Sequence, residues 1–384
     1  MTRHKKRKIV YAVKILVLLV LPVLTAVSVK SIPKIKSFFD KMGSISIDGN
    51  RITTVPEVTR TTTQTTTREN FRISEGYGTA EEKEDSTDVL TETENPLEAV
   101  PENAGDKPYP DENFWTAGGA IVRTTYGQYS GNTFFNLDNG GQVNNQTTIP
   151  NETLLSESRC RADFTVEDTD QPLVLIYHTH TTESFEPYVR DFYDANFNYR
   201  TTDETKNMIM VGNAIQAELE AQGIGVIHAK NIHDYPSYNG SYGRSRETIV
   251  PILEQYPSIK VVLDIHRDAV SGEGVAYQPF VEVNGKEAAQ IMIISGCDDG
   301  TLGMPDFMKN FHFACRLQER LENDYSGLTR PILFDYRHYN QDLTTGSLLI
   351  EVGSHGNTLE QVQYSGQLIG NSLGRLLNSM KEGN

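Results

Sequence analysis

Three places in the 384-residue chain set metal-binding or proton-transfer side chains directly after apolar runs. Leu173-Val174-Leu175-Ile176 leads into Tyr177-His178-Thr179-His180-Thr181-Thr182-Glu183-Ser184. Val261-Val262-Leu263 leads into Asp264-Ile265-His266-Arg267-Asp268, and Leu348-Leu349-Ile350 into Glu351, with Ser354 and His355 beyond. A histidine pair, a separate histidine and two glutamates are donors for a catalytic zinc, which takes three N or O ligands and keeps a fourth position for water. Zinc held by neutral imidazoles and a carboxylate brings the pKa of that water toward about 7 and supplies hydroxide at neutral pH. Each segment alone has a plainer reading: His-Thr-His as a hydrogen-bonded turn, His266 as a satisfied interior histidine. A glutamate ending an apolar strand is harder to dismiss, because a buried carboxylate needs a partner. Occurring together, the three strand ends favour the metal.

Strand-like and helix-like segments alternate around these positions. Buried-strand runs are expected at 173–177, 261–265, 290–294 and 348–351, with a short one at 224–228. Amphipathic spacing predicts helices at about 203–221, at 306–322 and from about 358 onward. The second carries Phe307, Phe311, Ala314, Leu317 and Leu321 on one face, and Thr358 with Gln361 would cap the third. This alternation predicts an α/β fold with a mostly parallel twisted sheet and helices on both faces. Working residues in such sheets gather beyond the carboxyl ends of the strands. Residues 113–171, rich in Gly, Asn, Thr and aromatics, read as a β-rich part preceding the main domain at 172–384.

Composition bounds the rest. With 35 Lys and Arg against 51 Asp and Glu the net charge is −16, which argues against a nucleic-acid partner. Eleven of the acids lie between Glu75 and Asp106. A mean hydropathy of −0.43 excludes a polytopic membrane protein. The N-terminus has a basic tail over residues 1–8, then the apolar run Ile9–Val29 broken by Lys14, long enough to span about 30 Å of hydrocarbon. It reads as a single transmembrane anchor with an extracytoplasmic C-terminal head, or as a cleaved signal peptide ending near Ala26-Val27-Ser28. Residues 30–112, Thr-rich and then Glu-rich with several prolines, read as a disordered tether. Cys160, Cys297 and Cys315 show no metal or disulfide spacing. His228, His233, His312 and His338 lack a second ligand nearby and read as structural. Ser184 has no G-x-S-x-G context for a nucleophile.

At Ile176–Ser184, at Leu263–Ala269 and at Ile350-Glu351-Val352-Gly353 with Gly356-Asn357-Thr358, the chain resembles the stage II sporulation protein P family, over about residues 110–384. The third motif also resembles zinc-dependent N-acetylmuramoyl-L-alanine amidases in general. The resemblance implies a peptidoglycan hydrolase that removes stem peptides and cuts cross-linking peptides in engulfment. It also implies a partner lytic transglycosylase and a membrane complex at the sporulation septum. By motif it makes His266 a zinc ligand, Glu183 the carboxylate ligand, and either His178 or His180 the third. Glu351 becomes the general acid/base. Arg267 either supports the oxyanion or pairs with Asp268 to orient His266.

Two other readings compete. An amidohydrolase barrel also starts with H-x-H at a strand end, but only about 205 residues remain after that motif where roughly 250 are typical. A non-catalytic wall-binding scaffold would have no physical need for charged groups at three strand ends.

Overall fold

The computed structural model describes residues 47–48, 51–52 and 116–381, except 168, 169, 198 and 273. The basic tail, the apolar run 9–29 and most of the expected tether lie outside the described residues. Among the described residues no helix is long and apolar enough to cross a membrane. The chain divides into Met1–Asn70 and Phe71–Asn384. In the first unit β1 (Ile47–Asp48) and β2 (Arg51–Ile52) form a minimal antiparallel ladder, Ile47 opposite Ile52, inside the stretch read as a tether.

In the second unit the unbroken apolar runs become central strands. A run without polar alternation can bury both faces. β6 (Val174–Tyr177), β9 (Val261–Asp268), β13 (Ile291–Cys297) and β15 (Ser347–Ser354) are buried at every position. They join β4 (Phe134–Asn136), β5 (Gln142–Asn145), β8 (Val226–His228) and β14 (Ile332–Tyr336) in one eight-stranded sheet, ordered β4-β5-β14-β13-β15-β9-β6-β8. The β4/β5 and β13/β15 pairs are antiparallel and the others parallel. The sheet is therefore mixed, with its reversal beside the strand that carries Glu351.

A five-stranded sheet lies alongside in sequence. It contains β3 (Ala117–Thr124), β7 (Phe192–Asp194), β10 (Ser271–Gly272), β11 (Val275–Val283) and β12 (Lys286–Ala289). The sequence pattern lacked the β11/β12 hairpin, although Asn284-Gly285 carries its turn signal and both residues adopt positive φ, 51° and 75°.

Among the described residues the helices are α1 (Asn151–Glu157), α2 (Met208–Glu220), α3 (Ser241–Gln255), α4 (Phe307–Asp324) and α5 (Leu359–Lys381). Asn207 starts α2 five residues later than the pattern suggests, its side chain accepting from the Ile209 N–H at 3.0 Å. The expected box opens α5: Thr358 Oγ1 accepts from Gln361 N at 3.3 Å, and Gln361 Oε1 accepts from Thr358 N at 3.1 Å. Side chains of α2, α4 and α5 share one apolar core with Leu263, Ile265, Ile350 and Val352. On the other face Ile249 of α3 packs with Leu175, Tyr177 and Val262. Strand side chains alternate, so Asp264 and His266 follow Val262 onto the α3 face. Glu351 stands beside His266 in the parallel β15/β9 register. One face is thus filled by three helices, while the other leaves room for polar groups.

The register between β15 and β9 shifts between Glu351 and Ser354. At the shift Gly353 has φ 68°, and a Cβ there would lie 2.7 Å from Asn357 Oδ1 and 2.8 Å from the Ala289 Cβ. Gly353→Ala should therefore cost about 1–3 kcal/mol of stability, read from urea midpoints. An unchanged midpoint would show that the turn relaxes freely.

Candidate metal centre

β6 ends at Tyr177, so His178, His180 and Glu183 follow it on a loop, as the sequence indicates. His266 and Glu351 differ from expectation: they lie inside strands rather than beyond them, because β9 runs to Asp268 and β15 to Ser354. The loop folds back over β9, and Glu183 meets both histidine rings. Its Oε1 lies 3.9 Å from His180 Nδ1, and its Oε2 lies 3.8 Å from His266 Nδ1. One donor atom from each of His180, Glu183 and His266 falls within 4.8 Å of the others, and all three residues are buried. The His180 and His266 rings meet edge-on with centroids 5.0 Å apart.

His178 lies outside this set although it starts the motif. Its Nδ1 donates to the Ile265 carbonyl at 2.9 Å, so in the neutral ring Nε2 is the acceptor, and it takes the Nε2–H of His228 at 2.8 Å. Both nitrogens are thereby used. Burial pushes His178 down to about 4 and His228 down to about 2, so both stay uncharged at neutral pH. Helix α2 closes on the pair at Gly212, where a Cβ would lie 2.5 Å from His228 Nε2. His228, read from sequence as structural and without a second ligand nearby, thus occupies the His178 nitrogen that faces it. His233 donates from Nδ1 to the His178 carbonyl at 2.7 Å and holds the same loop.

Asp264 received no role in the sequence reading. It is buried in mid-strand, and its Oδ1 lies 2.8 Å from His266 Nε2 and accepts from Thr179 N at 2.9 Å. The Thr179 hydroxyl donates to Oδ2 at 2.7 Å. The signal available was spacing: Asp264 and His266, two apart in a strand, share a face. Burial would lower the His266 pKa, but Asp264, with Glu183 and Glu351 nearby, outweighs it and pushes the ring up to about 9.

Arg267 holds no ion pair with Asp268, whose Oδ2 accepts instead from Arg330 at 2.7 Å. Its guanidinium donates to the carbonyls of Ser184 at 3.0 Å, Tyr199 at 3.2 Å and Asp268 at 3.3 Å, and its backbone N–H donates to Glu183 Oε2 at 3.1 Å. These contacts brace the Glu183 loop, so the geometry gives Arg267 a positioning place where sequence suggested an oxyanion group or an ion pair.

A transition-metal ion fits the donors. His180 Nε2 is buried without a hydrogen-bond partner, and the N···O separations near Glu183 are too long for hydrogen bonds. Two imidazoles and a carboxylate are a known ligand set for zinc. Tyr238 and Tyr242 line one side, their rings 4.5 Å and 5.6 Å from that of His180.

Fold and donors together define an α/β protein with a buried three-donor site suited to a divalent transition metal, beside a buried carboxylate. The stage II sporulation protein P family model matches residues 44–373, and the chain belongs to that family. The stage II sporulation protein P of Bacillus subtilis (strain 168) is 30% identical over 205 residues, 50% of this chain and 48% of that protein, so the chain spans about half the length of this relative. Among solved structures, an N-acetylmuramoyl-L-alanine amidase of Nostoc punctiforme is 12% identical, covering 54% of this chain and 96% of that one, with a TM-score of 0.34. The CwlD amidase of Clostridioides difficile in complex with the GerS lipoprotein is also 12% identical, covering 54% and 99%, with a TM-score of 0.35.

His178, His228 and His355 are all held neutral by burial, His355 at about 3. Such a group binds its proton more weakly folded than unfolded, so its contribution is complete above the unfolded value of about 6.5 and is lost as pH falls toward the folded value. Urea midpoints should drop between about pH 7 and pH 5. His228→Gln should flatten that slope, and an equal slope in the variant would remove His228 from the account.

Proposed function

We propose that the chain is a zinc-dependent hydrolase of cell-wall peptidoglycan in sporulation, an N-acetylmuramoyl-L-alanine amidase with endopeptidase activity on cross-linking peptides. The convergence of His180, Glu183 and His266 beside the in-register Glu351 carries this reading. Membership in a sporulation family supplies its setting.

His180, Glu183 and His266 would hold the ion. When bound, zinc supplies Lewis-acid polarisation of an amide carbonyl and lowers the pKa of water. Everything else falls to the chain. Glu351, buried beside His266, is the group that accepts a proton at its carboxylate from the attacking water and returns it to the leaving amine. Asp264 fixes the His266 ring, and Arg267 fixes the loop that carries Glu183. The contact of His178 with His228 holds the start of that loop. Tyr238 and Tyr242 give a partly exposed aromatic wall on which a sugar or peptide could lie.

The apolar run 9–29 would anchor the head at the membrane on its outer side, at the sporulation septum. The family resemblance adds a lytic transglycosylase and membrane-complex proteins as partners.

The full chain incubated with purified peptidoglycan should release peptide-free glycan, detected by mass spectrometry, stop on chelation and resume with zinc. Glu351→Gln should keep its metal while losing at least about 100-fold in rate. Wall binding without any bond cut in the zinc-loaded wild type would sink the hydrolase and leave a scaffold. In a separate comparison, His180→Gln should lose the zinc of this centre and His178→Gln retain it. The reverse result would exchange the two histidines.

A further inference from the structure

A second constellation lies where sequence spacing gave His312 no partner. Helix α1 ends at Glu157, and a turn closed by Cys160 N donating to Glu157 O at 2.9 Å brings the Cys160 thiol back to 4.0 Å from Glu157 Oε2. His312 of α4 enters from 155 residues further along the chain. Its Nε2 lies 2.7 Å from Glu157 Oε2 and its Nδ1 lies 2.6 Å from Asp163 Oδ2. Donor atoms of Glu157, Cys160 and His312 fall within 4.8 Å of one another. Helix α4 packs on the face of the sheet opposite to His266, so this cluster is separate from the first centre.

We propose that Glu157, Cys160 and His312 form a second site for a zinc-class transition ion, with Asp163 as the carboxylate that orients the histidine. A thiolate, an imidazole and a carboxylate select such an ion over calcium or magnesium, which take oxygen donors. Two donors about 2.0–2.3 Å from a shared tetrahedral ion stand roughly 3.3–3.6 Å apart. The 2.7 Å and 4.0 Å separations bracket that spacing, and the ion replaces the proton now shared by His312 and Glu157. The Asp163 contact to the far nitrogen is the carboxylate–histidine arrangement that fixes a ligand's tautomer and raises its basicity. An ion-pair network of one histidine and two carboxylates has no use for the thiol, whereas a metal shell does. Cys160 is exposed, which leaves solvent to complete the shell. The ion would clasp the end of α1 to α4. This inference stands apart from the hydrolase reading.

The test loads the full-length chain, kept reduced, with cobalt(II) and reads sulfur-to-cobalt charge-transfer absorption, which the sulfur-free first centre cannot produce. Wild type should bind about two equivalents and show the band, and Cys160→Ser should bind about one and lack it. Glu183→Gln, altered only at the first centre, should keep the band, and Glu157→Gln should weaken it. A wild type without the band, or a band that persists in Cys160→Ser and so belongs to buried Cys297 or Cys315, would overturn the proposal.

Discussion

The candidate centre depends on one buried carboxylate. Asp264 sits in mid-sheet, where an uncompensated charge is costly, and is held ionised by His266 and by two donors of Thr179. Those contacts link β9, which supplies His266, to the loop that supplies His180 and Glu183. Removing the charge would leave His266 unoriented and the loop untied in one step. The same carboxylate explains why Thr179 separates the two histidines: its backbone and hydroxyl both turn toward Asp264. The flanking rings are thereby directed to different places, His180 toward Glu183 and His178 toward His228.

Much of this was legible in the sequence. Unbroken apolar runs marked the four central strands, Thr358 and Gln361 marked the start of α5, and donors at three strand ends marked the region of the centre. What was not legible depended on distant partners. That His178 turns away from Glu183 rests on a histidine 50 residues away, and the place of Arg267 rests on three backbone carbonyls. Periodicity did not reveal α3, which carries Pro251 and buries only Ser241, Ser245 and Ile249. Nor does strand–helix alternation encode direction, so the antiparallel β13/β15 junction came only with the fold.

The uneven covering of the sheet accounts for where chemistry could arise. Three helices close one face with a continuous apolar core, which makes strand positions on that side intolerant of charge. Across the sheet α3 covers only part of the surface, and its Tyr242 and Ser245 meet the polar loop; the Ser245 hydroxyl lies 2.9 Å from that of Thr179. Rigid strands thus present His266 and Glu351 on a backbone that the opposite face holds still.

The pairing of β3 with β11 and of β5 with β14 bears on the order in which the head can be completed during synthesis. Arg123 finds Gln278 155 residues later, and Thr148 finds Tyr336 188 residues later. β5 gains β4 at once and β3 gains β7 well before β11, but the other edge of each strand waits open until most of the chain has followed. Their make-up suits that delay. β3 keeps most of its residues exposed even when paired, and β5 is Gln142-Val143-Asn144-Asn145, a segment poor in the apolar surface that invites premature association.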